Sequence, residues 1–448
     1  MPLHPAPYDQ VSRFAQTLAL LPSIALRVDV QDAYSSADTT MAEKKSAFDT
    51  PWFNSQRKDW FNSLNKSEHY NIVLTAETED FDQETAQQWR DEGFRTRYVP
   101  LLGGGEQYIN RIHNEGESFG AAEYYGIVAY DEAASLILQV HLKPGNPKLV
   151  SIVAYYPTRV PSFKAKYPQS VRVLVHLAGK EIGMLHNPEV LGLSSSKPKT
   201  VRKRIEPGAG YGECAKLGFK AYVYTGIRPG FAERDLEEFD VIAEALAFGR
   251  SLEVTRKAFR IETDVEQVRD ALVEETAAGS TAKAMKRVRP FGHVLCGPTI
   301  TGGVGSADLT KFYTSFFQPL PPTFRARLLS RIIGADGARI ADELYITFTH
   351  SQPIPWILPG IPATDKKVEI VMVSLVKIVG SKLESEHVYW DQASVLVQVG
   401  LLSAEMVPAS FKKKGVQELP VWGVESARAV KKGGGIDVNV LIEEWEEN

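Results

Sequence analysis

The stretch Glu386-His387-Val388-Tyr389-Trp390-Asp391-Gln392-Ala393-Ser394, near the C-terminus, sets an imidazole, a phenol and a carboxylate at alternate positions. Side chains of a strand alternate between two faces. His387, Tyr389 and Asp391 therefore share one face, and Val388 and Trp390 take the other. Three polar groups in a row on an otherwise apolar strand fit an enclosed acid/base site. They fit a buried polar network or a solvated sheet face as well. His387 and Asp391 stand on the order of 13 Å apart at ~3.3 Å per residue, too far for a direct dyad. Each needs a partner from another strand, or a ligand that spans the distance.

Working outward, long alternating strands are expected at Arg325 to Ile333, Ile340 to His350, Lys367 to Val379 and Lys382 to Asp391, with Gly380-Ser381 a hairpin turn. Before them, Asp264 to Ala278 reads as a helix broken by Gly279-Ser280, and Asp308 to Phe317 as another, with Ser306 or Asp308 as its N-cap. Helices followed by a curled antiparallel sheet make an α+β domain over 263–448.

The preceding part, 71–262, alternates apolar strands with helices. Strands are expected at 71–75, 125–130, 149–156, 171–177 and 220–224. Asp82 to Glu92 is a polar helix capped by Gly93, an Ala- and Leu-rich helix follows the second strand, and a long helix from about Leu236 to Phe259 closes the region. Near-continuous apolar strands between helices imply a parallel sheet covered on both faces, an α/β domain. Residues 1–70 read as an N-terminal arm pinned to the body by Trp52, Phe53, Trp60 and Phe61.

A length of 448 residues allows two or three such domains. A net charge of -4 gives no electrostatic case for nucleic acid. The basic run Lys197 to Arg204 reads as a solvated loop. Two cysteines, Cys214 and Cys296, argue against a disulfide scaffold and fit a reducing compartment. Without Cys-x-x-Cys or His-x-x-x-His there is no sequence case for zinc. The apolar segment Phe14 to Leu26 contains Pro22 and is too short to span a bilayer. The expectation is a cytoplasmic protein without metal or cofactor, bound to neither nucleic acid nor membrane. Thr301-Gly302-Gly303-Val304-Gly305 lacks the Lys-Ser/Thr ending of a P-loop and reads as a tight connection. Leu102-Gly103-Gly104-Gly105 reads as a flexible loop.

Several ordered motifs carry a resemblance. They are Pro298-Thr299-Ile300-Thr301-Gly302-Gly303-Val304-Gly305, Phe312-Tyr313, Phe348-Thr349-His350-Ser351-Gln352, Trp356 to Pro362, and the opening stretch. Over residues 263–405 the chain resembles the SnoaL-like branch of the nuclear-transport-factor-2-like superfamily. That resemblance implies a cone-shaped α+β barrel with a curved antiparallel sheet, open at one end to a small apolar ligand, and a homodimer. In its polyketide cyclase members a carboxylate at the Tyr-Trp-Asp position is the acid/base group, here Asp391. Two residues before the Pro-Thr pair, where those relatives commonly have His, this chain has Cys296, with His293 three residues earlier.

The N-terminal half more distantly resembles the dienelactone hydrolases, of the α/β-hydrolase fold. Their Gly-x-Cys-x-Gly nucleophile elbow corresponds to Ala129-Tyr130-Asp131-Glu132-Ala133, with Asp131 in the nucleophile place. The acid position falls at Glu181, and the histidine before Gly-Phe is absent from Arg228-Pro229-Gly230-Phe231-Ala232. These departures imply a degenerate hydrolase site. His176 and His186 stand elsewhere in the chain as alternative bases.

The reading that joins these features is a cofactor-independent acid/base enzyme, with its site in the C-terminal cone. Its substrate is a small apolar carbonyl compound that it cyclises, isomerises or dehydrates. Asp391 is the acid/base candidate, His387 and Tyr389 are orienters or oxyanion donors, and His350 is a second proton carrier. Trp356, Trp390, His293 and Cys296 are the substrate-binding candidates. His350 also reads as a core-edge histidine, and Trp356 and Trp390 as packing. The alternatives are a lactone or ester hydrolase in the N-terminal domain and a non-catalytic ligand-binding or assembly protein.

Overall fold

The computed structural model describes residues 70–120, 123–143, 145–162, 165–179, 181–186, 199–204, 213–214, 217–433 and 438–442. The expected N-terminal arm and its aromatic anchors lie outside them. The chain divides into two compact units at Ile261/Glu262.

The first unit is built on a seven-stranded sheet in the order β2-β1-β3-β4-β6-β10-β9. Its strands are β1 (Asn71–Thr75), β2 (Arg95–Tyr98), β3 (Tyr125–Tyr130), β4 (Leu149–Tyr155), β6 (Arg172–Ala178), β10 (Lys220–Tyr224) and β9 (Glu213–Cys214). All neighbours are parallel except β9 and β10. Burial explains the apolar runs: every residue of β1 and β3 is buried, as parallel strands covered on both faces must be. The helices are α1 (Gln83–Asp91), α2 (Gly105–Ser118), α3 (Asp131–Val140) and α4 (Val241–Phe259). Asp82 starts α1 by accepting from the Glu84 and Thr85 amides.

Helix α4 begins later than the sequence pattern suggests. The Asp240 carboxylate accepts from the Ile242 and Ala243 amides and so fixes the start. The Leu102 to Gly105 loop opens directly into α2, with Gly103 and Gly104 at φ +58° and +69°. A three-stranded sheet of β5 (Arg159–Val160), β7 (Glu181–His186) and β8 (Lys199–Arg204) stands apart. The basic run is thus in part a strand, β8, paired antiparallel with β7, and not a loop.

The second unit carries helix α5 (Val265–Ala277), short α6 (Thr281–Ala284), and a six-stranded sheet ordered β12-β11-β16-β15-β14-β13. The strands are β11 (Val288–Cys296), β12 (Thr301–Val304), β13 (Arg325–Ile333), β14 (Arg339–Thr349), β15 (Lys367–Val379) and β16 (Lys382–Trp390). Gly380 and Ser381 both take positive φ, +55° and +61°, the backbone a two-residue hairpin requires. The sheet departs from the antiparallel expectation at one place, where β11 runs parallel to β16.

The glycine-rich stretch is also more than a connection. It forms edge strand β12, in which Gly302 lies opposite Leu295. A Cβ at Gly302 would stand 1.9 Å from the Val294 carbonyl oxygen, so only glycine fits. Helix α7 (Gly305–Phe312) then starts at Gly305, without a side-chain cap from Ser306 or Asp308. It continues as a π-helical turn, Tyr313–Phe317. After β16 come α8 (Gln392–Gln398), α9 (Ala409–Lys412) and α10 (Val424–Lys432).

Helix α5 is tied to the sheet by charge. Its buried face carries Val265, Leu272 and Thr276, and Arg269 stands among them, buried. The guanidinium donates from Nε to Asp342 on β14 at 3.3 Å, and from Nη2 to Ser374 on β15 at 3.2 Å and Glu386 on β16 at 2.7 Å. Arg331 on β13 holds the other side of Asp342, at 2.6 and 3.0 Å. Asp342 is fully buried. Removing Arg269 leaves the buried Glu386 carboxylate without a cation. Arg269→Ala is expected to cost about 3–5 kcal/mol, read as a lowered urea midpoint; an unchanged midpoint would contradict this account.

Candidate functional site

The inner face of the second sheet and helix α5 enclose a cavity of about 330 Å³, within the size range of small-molecule sites. Most of its wall is apolar, including Leu272, Phe324, Leu344, Ile346 and Met372. Polar groups enter from α5, β15, β16 and the π-helical turn: Arg269, Ser374, Glu386 and Tyr313.

Glu386 is held from one side. Its Oε1 accepts from Arg269 Nη2 and from the Ser374 hydroxyl, each at 2.7 Å. Its Oε2 takes no hydrogen bond from the described residues. The Tyr313 hydroxyl also has no hydrogen-bond partner among them. Burial, reinforced by the Glu386 charge, holds the Tyr313 phenol well above its ordinary pKa, so it is a neutral donor. Burial lowers the pKa of the Arg269 guanidinium, but the Glu386 and Asp342 carboxylates outweigh that and keep it charged. The arrangement pairs a carboxylate oxygen with a hydroxyl donor in an apolar enclosure.

The opening stretch divides differently from expectation. On β16, Leu383, Glu386, Val388 and Trp390 are buried, whereas Tyr389 is 46% exposed and His387 partly exposed. His387 and Tyr389 do share a face, but it is the outer one. Val388 and Trp390 carry the apolar surface that must be buried, and period-two alternation then turns His387 and Tyr389 outward. Asp391 lies beyond the strand and is exposed. Its carboxylate caps α8 by accepting from the Ser394 amide at 3.2 Å. None of these three lines the cavity.

His293 is on the outer face too, where its Nε2 stands 3.0 Å from Nε2 of His387. His350 is buried away from the cavity, its Nδ1 paired with the Thr364 hydroxyl at 3.0 Å. Its backbone carbonyl accepts from the Thr364 and Asp365 amides, so His350 anchors the loop before β15.

Two of the substrate-binding candidates do reach the cavity. Cys296 lines it, its thiol pushed up to about 12 by burial and therefore unreactive as a nucleophile near neutral pH. Trp356 lines it as well, stacked on Phe317 at 4.8 Å, with a buried indole N–H that has no partner among the described residues. Trp390 backs Trp356 edge-on at 5.7 Å and donates to Gln392.

Arg269, Tyr313, Ser374 and Glu386 are not among the site candidates read from the sequence, although Tyr313 and Glu386 stand within its motifs. One signal was available: Glu386 stands with Val388 and Trp390 on the apolar side of its strand, and Arg269 stands with Val265 and Leu272 on one face of its helix. Opposite charges at two core positions imply a buried pair.

In the first unit, Asp131 begins α3 directly after β3, with φ +48°. Glu181, the expected acid, is exposed at the start of β7. His176 is fully buried, its ring nitrogens paired with Tyr224 and Ser251 at 3.0 and 2.9 Å. The His186 side chain lies outside the described residues.

Near the strand ends the buried group is Glu233, which accepts from the Tyr156 hydroxyl. Burial raises the Glu233 carboxyl to about 7, and the charges of Asp235, Asp131 and Asp82 add to the effect. Burial and Glu77 raise Asp131 as well.

No family profile matches the chain, and no curated protein is significantly similar. Solved structures resemble about a third of it. A Catenulispora acidiphila protein with a ketosteroid isomerase-like fold, in complex with trimethylamine, is 14% identical; the match spans 33% of this chain and 100% of that one, at a TM-score of 0.24. A candidate SnoaL-like polyketide cyclase from Jannaschia is 12% identical, over 32% and 98% of the two chains, at 0.27. A candidate hydroxylase from Streptomyces galilaeus is 20% identical, over 34% and 95%, at 0.24. Among the described residues no helix is long and apolar enough to cross a membrane.

A pH dependence follows from Glu233. Its folded-state pKa, about 7, lies above the ordinary 4.5, so the folded chain holds this proton more tightly. The stability it contributes is full below pH 4.5 and is lost as pH rises through 7. Glu233→Gln should therefore flatten the fall in stability across that window, measured by urea unfolding at several pH values. Parallel wild-type and variant curves would contradict it.

Proposed function

We propose that the second unit binds a small, mostly apolar carbonyl compound in its cavity and moves a proton on it. The observation that carries this reading is the half-engaged Glu386 carboxylate. Arg269 and Ser374 fix one oxygen, and the other faces no protein donor among the described residues. A carboxylate fixed this way is oriented to take a proton next to a carbonyl. The Tyr313 hydroxyl, a neutral donor lining the same cavity, supports the charge that develops on the carbonyl oxygen. The apolar remainder selects against strongly hydrated substrates. Cyclisation, isomerisation and dehydration all begin with such a proton transfer.

The test is native mass spectrometry of the intact protein after incubation with a metabolite extract. Wild type is expected to capture and convert a small molecule, and Glu386→Gln to hold it unchanged. Ala326→Phe, which fills the cavity, should capture nothing, whereas Asp391→Asn should behave as wild type. Conversion by Glu386→Gln, or its loss in Asp391→Asn, would overturn the assignment.

One observation favours a second reading in the first unit. Asp131, a non-glycine residue at positive φ, sits on a sharp strand-to-helix turn, where strain commonly accompanies function. Glu233, in the loop that lacks the expected histidine, supplies an ionisable group that responds to Asp131. This reading is hydrolysis of an ester or lactone. It requires that Asp131→Ala abolish turnover of a dienelactone-like substrate by the full chain; unchanged turnover in that variant would sink it.

A further inference from the structure

On the outer face of the second sheet two imidazoles meet head to head. His293 of β11 and His387 of β16 lie on neighbouring strands, their Nε2 atoms 3.0 Å apart and their ring centroids 5.2 Å apart. They are diagonal neighbours across the parallel pairing, since His293 pairs with Ser385 and His387 with Leu295. Both are partly exposed, so the pair is open to solvent from that face. Neither lines the cavity.

We propose that His293 and His387 form a two-imidazole site for a divalent transition-metal ion of the zinc, nickel or copper class, completed by water. Metal–imidazole bonds are roughly 2.0–2.1 Å long, so two Nε2 atoms stand roughly 3.3 Å apart on a tetrahedral cation and roughly 2.9 Å apart on a square-planar one. The 3.0 Å separation falls between these. A ring centroid lies just over 1 Å behind its nitrogen, which puts the two centroids roughly 5.2 Å apart on a tetrahedral cation, and they already stand 5.2 Å apart. With nitrogens 3.0 Å and centroids 5.2 Å apart the rings point nearly straight at each other, so the contact becomes a chelate when each ring turns by roughly 20–35° to converge on the cation, a side-chain rotation that leaves the strands in place. In the neutral pair one Nε2–H donates to the other nitrogen. Moving that proton to the donor ring's Nδ1 frees the second lone pair, so binding needs no net proton release.

The nearby charges are mixed. Glu384 and Lys377 both act on His293, and the Glu384 carboxylate is held by Arg289 at 2.7 Å. The site therefore rests on the two imidazoles. Among the described residues no group of three or more His, Cys, Asp or Glu could hold a metal, which leaves the remaining coordination positions to water.

The test uses the full chain, freed of metal by chelator and dialysed against Zn²⁺, Ni²⁺ or Cu²⁺. Wild type should take up one equivalent. His293→Gln and His387→Gln should each bind roughly tenfold or more weakly, while His113→Gln, a histidine of the first unit, binds as wild type. The Cu²⁺ paramagnetic resonance spectrum of wild type should show two imidazole nitrogens, a readout that needs no variant to fold. No uptake by wild type, uptake unchanged in both variants, or a spectrum lacking two nitrogens would overturn the proposal. Because the pair lies outside the cavity, its failure leaves the Glu386 reading untouched.

Discussion

The buried guanidinium of Arg269 organises the second unit. A cation on the buried face of α5 is tolerable only if carboxylates meet it there, and three strands supply partners: Asp342, Ser374 and Glu386. Those bonds set where the helix lies on the sheet, and the space left between them is the cavity. They also decide how Glu386 is presented, one oxygen engaged and the other open. Structure and proposed chemistry thus depend on one ion cluster. Any change to its geometry alters the helix seat and the carboxylate together.

The same sheet does different things on its two faces. The inner face encloses an apolar space with a small polar end. The outer face keeps apolar side chains in solvent, among them Val304 at 60% exposed and Leu375 at 44%, which pair across the strands with His293 and His387, and it carries the two paired imidazoles. Strand alternation enforces this division, because neighbouring residues of β16 cannot serve the same face. Chemistry that reads as one continuous motif along the chain is therefore split between an interior and an exterior role.

In the first unit two non-glycine residues take positive φ directly after parallel strands. Asp131 follows β3 and Tyr156 follows β4, at φ +48° and +35°. Tyr156 then donates to Glu233, which arrives from the loop after β10. Carboxyl ends of parallel strands are where α/β sheets bind ligands. Three segments distant in sequence thus converge on one buried carboxyl group.

Much of the architecture was legible without coordinates, because it rests on local rules. Period-two alternation located β13 and β15 to the residue and β14 and β16 to within one, and the Gly380-Ser381 turn followed from positive-φ requirements. Apolar runs between helices located β1, β3, β4, β6 and β10 within a residue or two. Interior strand β11 escaped, as did edge strands β2 and β12, the first of these edges short and polar, the second made of Thr-Gly-Gly-Val, because pairing alone makes them strands. The candidate site was legible only in part. Alternation placed His387 and Tyr389 together and Val388 and Trp390 opposite them, but which face is enclosed depends on what packs against it. Helix α5 decided that, by laying Arg269 beside Glu386. Likewise nothing local announced that His293 and His387, 94 positions apart, would meet at 3.0 Å. Local sequence determines which side chains share a face; only the register of non-local strands and the docking of a helix determine which face becomes a site.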